Sequence, residues 1–306
     1  LMTIEKKLLG TTPVDGAILP EAVSFGTGDR LSRTSDLTNN SDSKTVTLSC
    51  FFYADPDAGA TLYSTYAGTA QRFWVKTSGR FVRVQGVNAS GNVVVNSNWH
   101  NCAMNTWNHI LVSFDLTNTS KRFIYLNDKP AVPASSQWPT YTNDNIKFTN
   151  NNHFVRTSST SGSDSGWHRE SNLFLDYTYR DLSVTSNRRL FIDAEGKPSK
   201  TIPYNPIIYL PMKDAATAGV NSGTGGNFSV NGVLATAERG PNQDNCVASN
   251  FDGSQNYLNK TNGNSLSNSK TITCAFTFMP IAGNNTSDII IFDDYNVGGG
   301  GAQGFV

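Results

Sequence analysis

The sequence has few charged residues, little glutamate and no long apolar run. Charged residues make up 16% of the 306 and cancel to a net charge of +0, so no long-range field favours nucleic acid or an anionic membrane. No run approaches the roughly 18 apolar residues that a membrane helix needs, and the N-terminal sequence lacks the apolar core of a signal peptide. We therefore expect neither a nucleic-acid partner nor membrane insertion.

The sequence also lacks the common motifs of catalytic and metal sites. Its four cysteines form no C-x-x-C pair and have no zinc-site spacing to a histidine. Cys50 lies on the apolar face of an alternating run, which is typical of a buried free thiol. The glutamates are scattered, so the paired carboxylates of a glycosidase are missing. The histidines form no Ser-His-Asp arrangement, and we expect His109 to pack inside the fold. These absences predict a protein that is not an enzyme.

Asparagine, serine, threonine and glycine are abundant, and apolar residues alternate with polar ones over many short runs. This period of two predicts half-buried strands separated by turns. In TVTLSCFFY the predicted inward set is Val46, Leu48, Cys50 and Phe52. Further runs of this type are QRFWVKT, GRFVRVQ, GNVVVNS, WNHILVSFDL, KRFIYLND, SNLFLDYTY and PIIYLPMK. One short helix is predicted at about 183–194. The predicted fold class is all-β, an antiparallel jelly-roll sandwich.

An internal repeat divides the chain. SKTVT at 43–47 matches SKTIT at 269–273, and AQRF at 70–73 matches AQGF at 302–305. The predicted domains are an N-terminal arm (1–22), a first sandwich (23–215), a Gly/Asn-rich connector (216–247) and the start of a second sandwich (248–306). Because the second copy stops after its first strands, it would leave an open apolar face and unpaired strand edges. We expect a longer natural chain, or another subunit, to complete it.

Two stretches resemble a known family. WNHILVSFD (107–115) followed by RFIYLNDK (122–129) resembles the central hairpin of laminin G-like and pentraxin-like domains, which have the concanavalin A-like fold. LDYTYRDLSVTSNRRLFIDAEGKP, followed by PIIYLPMK and the SGTGGNF connector, resembles the version of this domain found in virion proteins of tailed bacteriophages. The resemblance covers 23–232 and, as the start of a second copy, 250–306. It implies concanavalin A-like sandwiches in tandem.

The resemblance also implies a function. We expect a virion-surface structural protein, released by host lysis, that mediates adhesion to host-surface glycan as part of a tail fibre or spike. Its partners would be other virion proteins, the glycan and further copies of itself in a homo-oligomer. Two alternatives stay open: a capsid or tail decoration protein that makes only protein contacts, and a secreted bacterial adhesin.

Aromatic residues in polar loops are the candidates for a sugar site, because a ring can stack on the apolar face of a pyranose while amides and guanidinium groups bond its hydroxyls. The predicted carbohydrate-binding residues are Trp99, Trp138, Tyr141, Trp167 and Arg169. The resemblance further implies calcium as a cofactor, held by Asp and Asn oxygens at a rim of the sandwich. The predicted calcium ligands are Asp55, Asp57, Asp115, Asn127 and Asp128.

Overall fold

A computed structural model describes most of the first repeat. The described residues are 21–54, 59–68, 70–131, 138–157, 168–199, 202, 204–237 and 240–241. The chain divides into two compact units, Leu1–Cys246 and Val247–Val306. The predicted second sandwich (248–306) lies outside the described residues, so its fold and its completion stay predictions. The predicted N-terminal arm (1–22) is described only at residues 21 and 22, so it too stays a prediction.

The described residues form short strands and one helical turn. The strands are β1 (Val23–Phe25), β2 (Arg30–Arg33), β3 (Thr45–Ala54), β4 (Thr61–Ala67), β5 (Ala70–Ser78), β6 (Phe81–Val87), β7 (Val93–Asn96), β8 (His100–Asn101), β9 (Thr106–Asp115), β10 (Arg122–Leu126), β11 (Lys129–Pro130), β12 (Thr140–Tyr141), β13 (Asn152–Arg156), β14 (His168–Asp176), β15 (Ile208–Leu210), β16 (Ser229–Asn231) and β17 (Ala235–Thr236). The helix, α1, is Thr185–Arg188. In this part of the chain no helix is long and apolar enough to span a membrane.

The strands form two antiparallel sheets. The first sheet has the order β11-β10-β9-β3-β14-β1-β17, with β15 beside β14. The second has the order β12-β7-β6-β5-β4-β13-β2-β16, with β8 beside β6. Neighbours in each sheet are often far apart in sequence, as for β3 and β14, so the chain crosses repeatedly between the sheets. This arrangement confirms the predicted all-β jelly-roll sandwich.

Strand alternation places the main core between the two sheets. Val46, Leu48, Cys50 and Phe52 of β3 are all fully buried in that core, which confirms the predicted inward set. Cys50 is a free thiol, as predicted. The intervening residues of β3 face away from the core, yet Phe51 is also buried. The outer face of the first sheet is therefore covered as well.

A second apolar cluster lies on this outer face. It contains Leu111, Phe174, Leu182 and Phe191, and the ring centroids of Phe174 and Phe191 lie 4.9 Å apart. Leu182 and Phe191 flank α1 on either side. The helix is shorter than the predicted 183–194 because the chain after α1 turns back, so that Ile192 forms a β-bridge with Pro198.

The described part of the predicted connector (216–247) contributes two short strands to the sheets. β16 pairs with β2 at the edge of the second sheet, and β17 pairs with β1 at the edge of the first. The approach of Gly219 to Phe228 positions this segment, because a Cβ at Gly219 would lie 2.2 Å from the Phe228 carbonyl oxygen. The segment therefore protects one edge of each sheet from pairing with other chains.

Candidate functional site

The outer face of the second sheet carries aromatic, basic and amide side chains. In β5, Phe73 and Val75 are buried in the core, so alternation places Trp74 and Lys76 on the opposite face. Register then defines their neighbours, since Trp74 pairs with Gln85 and Lys76 pairs with Arg83. We name this surface the Trp99 patch; it consists of Trp74, Lys76, Phe81, Arg83, Asn96, Trp99 and Asn101.

Arg83 is the centre of the Trp99 patch. Its Nε atom donates hydrogen bonds to Asn96 Oδ1 at 2.9 Å and to the Ser97 carbonyl oxygen at 3.0 Å. The guanidinium carbon lies 5.9 Å from the Trp74 ring centroid and 5.5 Å from that of Trp99. Partial burial lowers the pKa of Arg83 from its ordinary value. The arrangement holds one cation in a fixed orientation against two indole rings.

The two tryptophans differ in exposure. Trp74 is 9% exposed, and its ring also contacts Lys76, whose Nζ lies 4.9 Å from the centroid. Trp99 is 40% exposed and Phe81 is 38% exposed. An exposed ring next to amide groups can stack on the apolar face of a sugar while the amides bond its hydroxyls. The Trp99 patch therefore has the chemistry of a carbohydrate site.

The seven residues of the Trp99 patch include two cations, Lys76 and Arg83, and no carboxylate. No aspartate or glutamate occurs between Asp57 and Asp115, although the same stretch contains Arg72, Lys76 and Arg80 besides Arg83. The strands from β4 to β8 therefore carry positive charge without a carboxylate of their own. Arg72, Lys76 and Arg80 contact amide and carbonyl oxygens, and Arg80 also lies over the Phe81 ring.

The predicted sugar residues do not come together as one site. Trp99 lies in the Trp99 patch. Trp138 does not face solvent as predicted: it is 5% exposed, and its ring packs edge-on against Phe114 and Tyr141, each at 5.8 Å. The Tyr141 hydroxyl donates to the Asp115 carbonyl oxygen at 2.7 Å. Trp138 thus fills one end of the core, and Tyr141 is held by backbone contacts beside it.

Arg169 lies on the other sheet. Its guanidinium carbon is 4.7 Å from the ring centroid of Tyr53, which in turn packs edge-on against Trp107 at 6.0 Å. These three residues belong to β14, β3 and β9 of the first sheet, so the sandwich separates Arg169 from Trp99. Trp167 lies outside the described residues.

The oxygens of two predicted calcium ligands already have protein partners. Asp115 Oδ1 accepts hydrogen bonds from the backbone nitrogen and hydroxyl of Thr117 at 3.0 and 2.6 Å, and Asp115 Oδ2 pairs with Lys121 Nζ at 3.1 Å. Asn127 Oδ1 accepts the backbone N–H of His109 at 2.8 Å. These bonds organise the strand ends, and they do not fit a cation site.

The carboxylate oxygens of Asp128 likewise have protein partners. Its two oxygens contact Arg188 Nε at 2.6 Å and an Nη atom of Arg189 at 2.8 Å, and these arginines lower the pKa of the carboxyl against the effect of burial. Asn127 and Asp128 form the β10–β11 turn with φ of 50° and 60°, the geometry of a type I′ hairpin. Asp128 thus attaches α1 to the first sheet. The described part of the chain contains no group of three His, Cys, Asp or Glu side chains that could hold a metal, and Asp55 and Asp57 lie outside it.

A buried polar cluster in the core was missed by the sequence reasoning. The Cys50 thiol donates to Glu170 Oε1 at 3.2 Å, and His168 Nε2 lies 3.5 Å from Glu170 Oε2. Burial raises the pKa of Glu170 and Cys50 well above their ordinary values and lowers the pKa of His168 to about 3. Arg156, also buried, opposes the shift of Glu170. The side chains of the cluster are buried, with Cys50 and Glu170 at 0%, Arg156 at 1% and His168 at 4% exposure. Strand alternation in β14 points to Glu170, but not to its partners on other strands.

Comparisons with known proteins concern the fold. No protein-family model and no curated protein matches the sequence. A candidate carbohydrate binding protein from Bacteroides ovatus has 13% identity, a TM-score of 0.49, and coverage of 72% of this chain and 61% of that one. A heptameric SAP-like pentraxin from Limulus polyphemus has 9% identity, a TM-score of 0.38, and coverage of 54% and 79%.

A further similar structure is the binding domain of botulinum neurotoxin serotype D, with 11% identity, a TM-score of 0.42, and coverage of 58% of this chain and 45% of that one. The chain thus covers less than two thirds of the Bacteroides and neurotoxin structures. At such identities and TM-scores the similarity carries no argument about a ligand. The fold assignment rests on the strand order of the two sheets, which is that of an antiparallel jelly-roll sandwich.

Proposed function

We propose that this protein is a virion-surface protein of a tailed bacteriophage that binds glycan on the host cell through the Trp99 patch. The observation that carries the binding proposal is the exposed Trp99 ring, set beside Arg83 and Asn96 on one sheet face. The virion location and the adhesion role are supported by the sequence resemblance over 176–232.

The Trp99 patch is suited to binding because its parts are restrained before a ligand arrives. Arg83 is fixed by its Nε hydrogen bonds and lies against the Trp99 ring. Ordering free side chains at a binding surface costs about 0.5–1.5 kcal/mol for each residue. Restraint in the free protein reduces this cost, so more of the stacking energy contributes to affinity.

The composition of the Trp99 patch favours binding over hydrolysis. Cleavage of a glycosidic bond needs an acid and a base or nucleophile, normally two carboxyl groups on either side of the bond. The strands from β4 to β8 contain no aspartate or glutamate. A sugar stacked on Trp99 would therefore meet amides and cations, without the carboxyl pair.

Binding of purified protein to host-envelope glycans tests the proposal. Trp99→Ala should weaken binding at least about tenfold, which corresponds to about 1.4 kcal/mol. Tyr204→Ala is the matched control, because Tyr204 is also an exposed aromatic residue, at 47%, but stacks on Arg180 away from the second sheet. Equal binding by both variants would contradict the assignment of the site. No binding by the intact protein, together with unstable particles in its absence, would instead favour a decoration protein.

A further inference from the structure

We infer that the glycan bound at the Trp99 patch is acidic, and that Arg83 holds a carboxylate or phosphate group of it through its two terminal nitrogens. This inference rests on the proposed function and specifies its ligand class. It is carried by the unshared donors of Arg83 and by the absence of aspartate and glutamate from the segment between Asp57 and Asp115, which forms the Trp99 patch.

The hydrogen bonds of Arg83 fix the orientation of its guanidinium group. Nε is used by Asn96 Oδ1 and the Ser97 carbonyl oxygen, whereas neither Nη1 nor Nη2 has a hydrogen bond to any part of the protein that the structure describes. A planar guanidinium held at Nε presents its two terminal nitrogens as a fork. Such a fork matches the paired oxygens of a carboxylate or phosphate.

The charge around Arg83 favours an anion over a neutral sugar. Lys76 is the cross-strand neighbour of Arg83 in the β5–β6 register, and like charges directly opposite in a sheet destabilise it. The chain as a whole is neutral, so the carboxylates that balance these cations lie in other segments of the sequence. An anionic ligand group would be attracted by the charges of both Lys76 and Arg83, whereas a neutral hydroxyl would gain little from them.

The two tryptophans strengthen this preference. The rings of Trp74 and Trp99 shield Arg83 from part of the solvent, and a charge pair in a partly desolvated place is stronger than one in bulk water. The exposed Trp99 ring also provides the apolar surface on which the sugar itself stacks. Charge recognition and stacking therefore act on adjoining parts of one acidic monosaccharide unit.

The test compares three polymers on the full chain by calorimetry: polygalacturonate, poly(glycerol phosphate) and neutral dextran. We expect one of the acidic polymers to bind, at least about tenfold more weakly in Arg83→Gln, with affinity falling as salt is raised. Arg83→Lys, which keeps the charge but not the fork, should lie between. Arg122→Gln is the charge-matched control, since Arg122 belongs to β10 of the first sheet and stacks on Tyr141 rather than on Trp74 or Trp99, and it should bind normally.

The outcomes separate this inference from the proposed function. Dextran binding that depends on Trp99 but not on Arg83 would overturn the acidic ligand while supporting the glycan site. Equal losses in Arg83→Gln and Arg122→Gln would also overturn it, because binding would then follow net charge alone. Binding of no polymer and no host glycan would refute the proposed function itself. A circular dichroism spectrum confirms that each variant is folded, and Arg83→Lys provides the comparison if Arg83→Gln is not.

Discussion

Buried histidine makes the stability of this fold sensitive to acid, and His109 is the clearest case. It is 1% exposed, its Nε2 lies 2.7 Å from Ser49 Oγ, and its ring stacks on Phe51 with centroids 4.3 Å apart. Nδ1 has no hydrogen-bond partner among the described residues. A protonated imidazole would carry N–H at both nitrogens, so charging it inside the protein would leave one buried donor without an acceptor.

The size of the effect follows from proton linkage. Burial lowers the pKa of His109 from 6.5 to about 3, and the nearby Asp128 opposes this only in part. The unfolded chain therefore binds a proton at pH 4.5 that the folded protein does not, and acid favours unfolding. This contribution to stability is complete above pH 6.5 and is lost as the pH falls from 6.5 towards 3. At about 1.36 kcal/mol for each pH unit, the loss between pH 7 and 4.5 is about 2.5 kcal/mol.

The variant His109→Phe keeps the stacked ring and removes the titrating group. Its free energy of unfolding in urea should fall about 2.5 kcal/mol less than that of the native protein between pH 7 and 4.5. Ser49→Ala is the control, because it removes the hydrogen bond and leaves the imidazole, and so it should keep the full pH dependence. If His109→Phe loses as much stability in acid as the native protein, His109 is not buried as a neutral imidazole.

Three further predictions concern packing and docking, each measured by urea unfolding at pH 7. Gly86→Ala should destabilise by about 1–3 kcal/mol, because a Cβ there would lie 2.7 Å from Ile146 Cδ1; an unchanged midpoint would show that Ile146 can move aside. Phe191→Ala should cost about 3–5 kcal/mol through loss of its contact with Phe174, unless the cover of the first sheet is not formed. Asp128→Asn should cost about 1–2 kcal/mol by weakening both arginine contacts, and no loss would mean that they are unimportant for docking α1.

Local sequence pattern predicted the strands correctly because a strand's two faces alternate with period two. The inward set of β3 follows from that alternation and is confirmed. The predicted burial of His109 is confirmed too, although this residue lies on the outer face of β9, stacked on Phe51. The pattern did not predict that Phe51, on the outer face of β3, is buried too. Phe51 stacks on His109 of β9, and residues around α1 pack over Leu111 and Phe174 on the same face. These partners are distant in sequence, and alternation carries no information about a second layer.

For the candidate site, too, the sequence contains the residue types but does not show which of them face solvent. Trp99 and Trp138 lie in similar polar contexts, and the sequence predicted both to be exposed, yet only Trp99 is. The sequence contains the absence of acidic residues between Asp57 and Asp115, but not its location on one face. Strand pairing brought Trp74 and Arg83 together with Trp99.

The sequence by itself therefore determined the fold class, the strands and the composition of the surface. These depend on side-chain period and turn residues, which act over a few positions of the chain. The tertiary structure alone decided which aromatic rings face solvent, which carboxylates are already paired, and which cation keeps its donors unshared. Each of those properties is set by partners that the sandwich brings together from distant segments, and local sequence does not encode which partners meet.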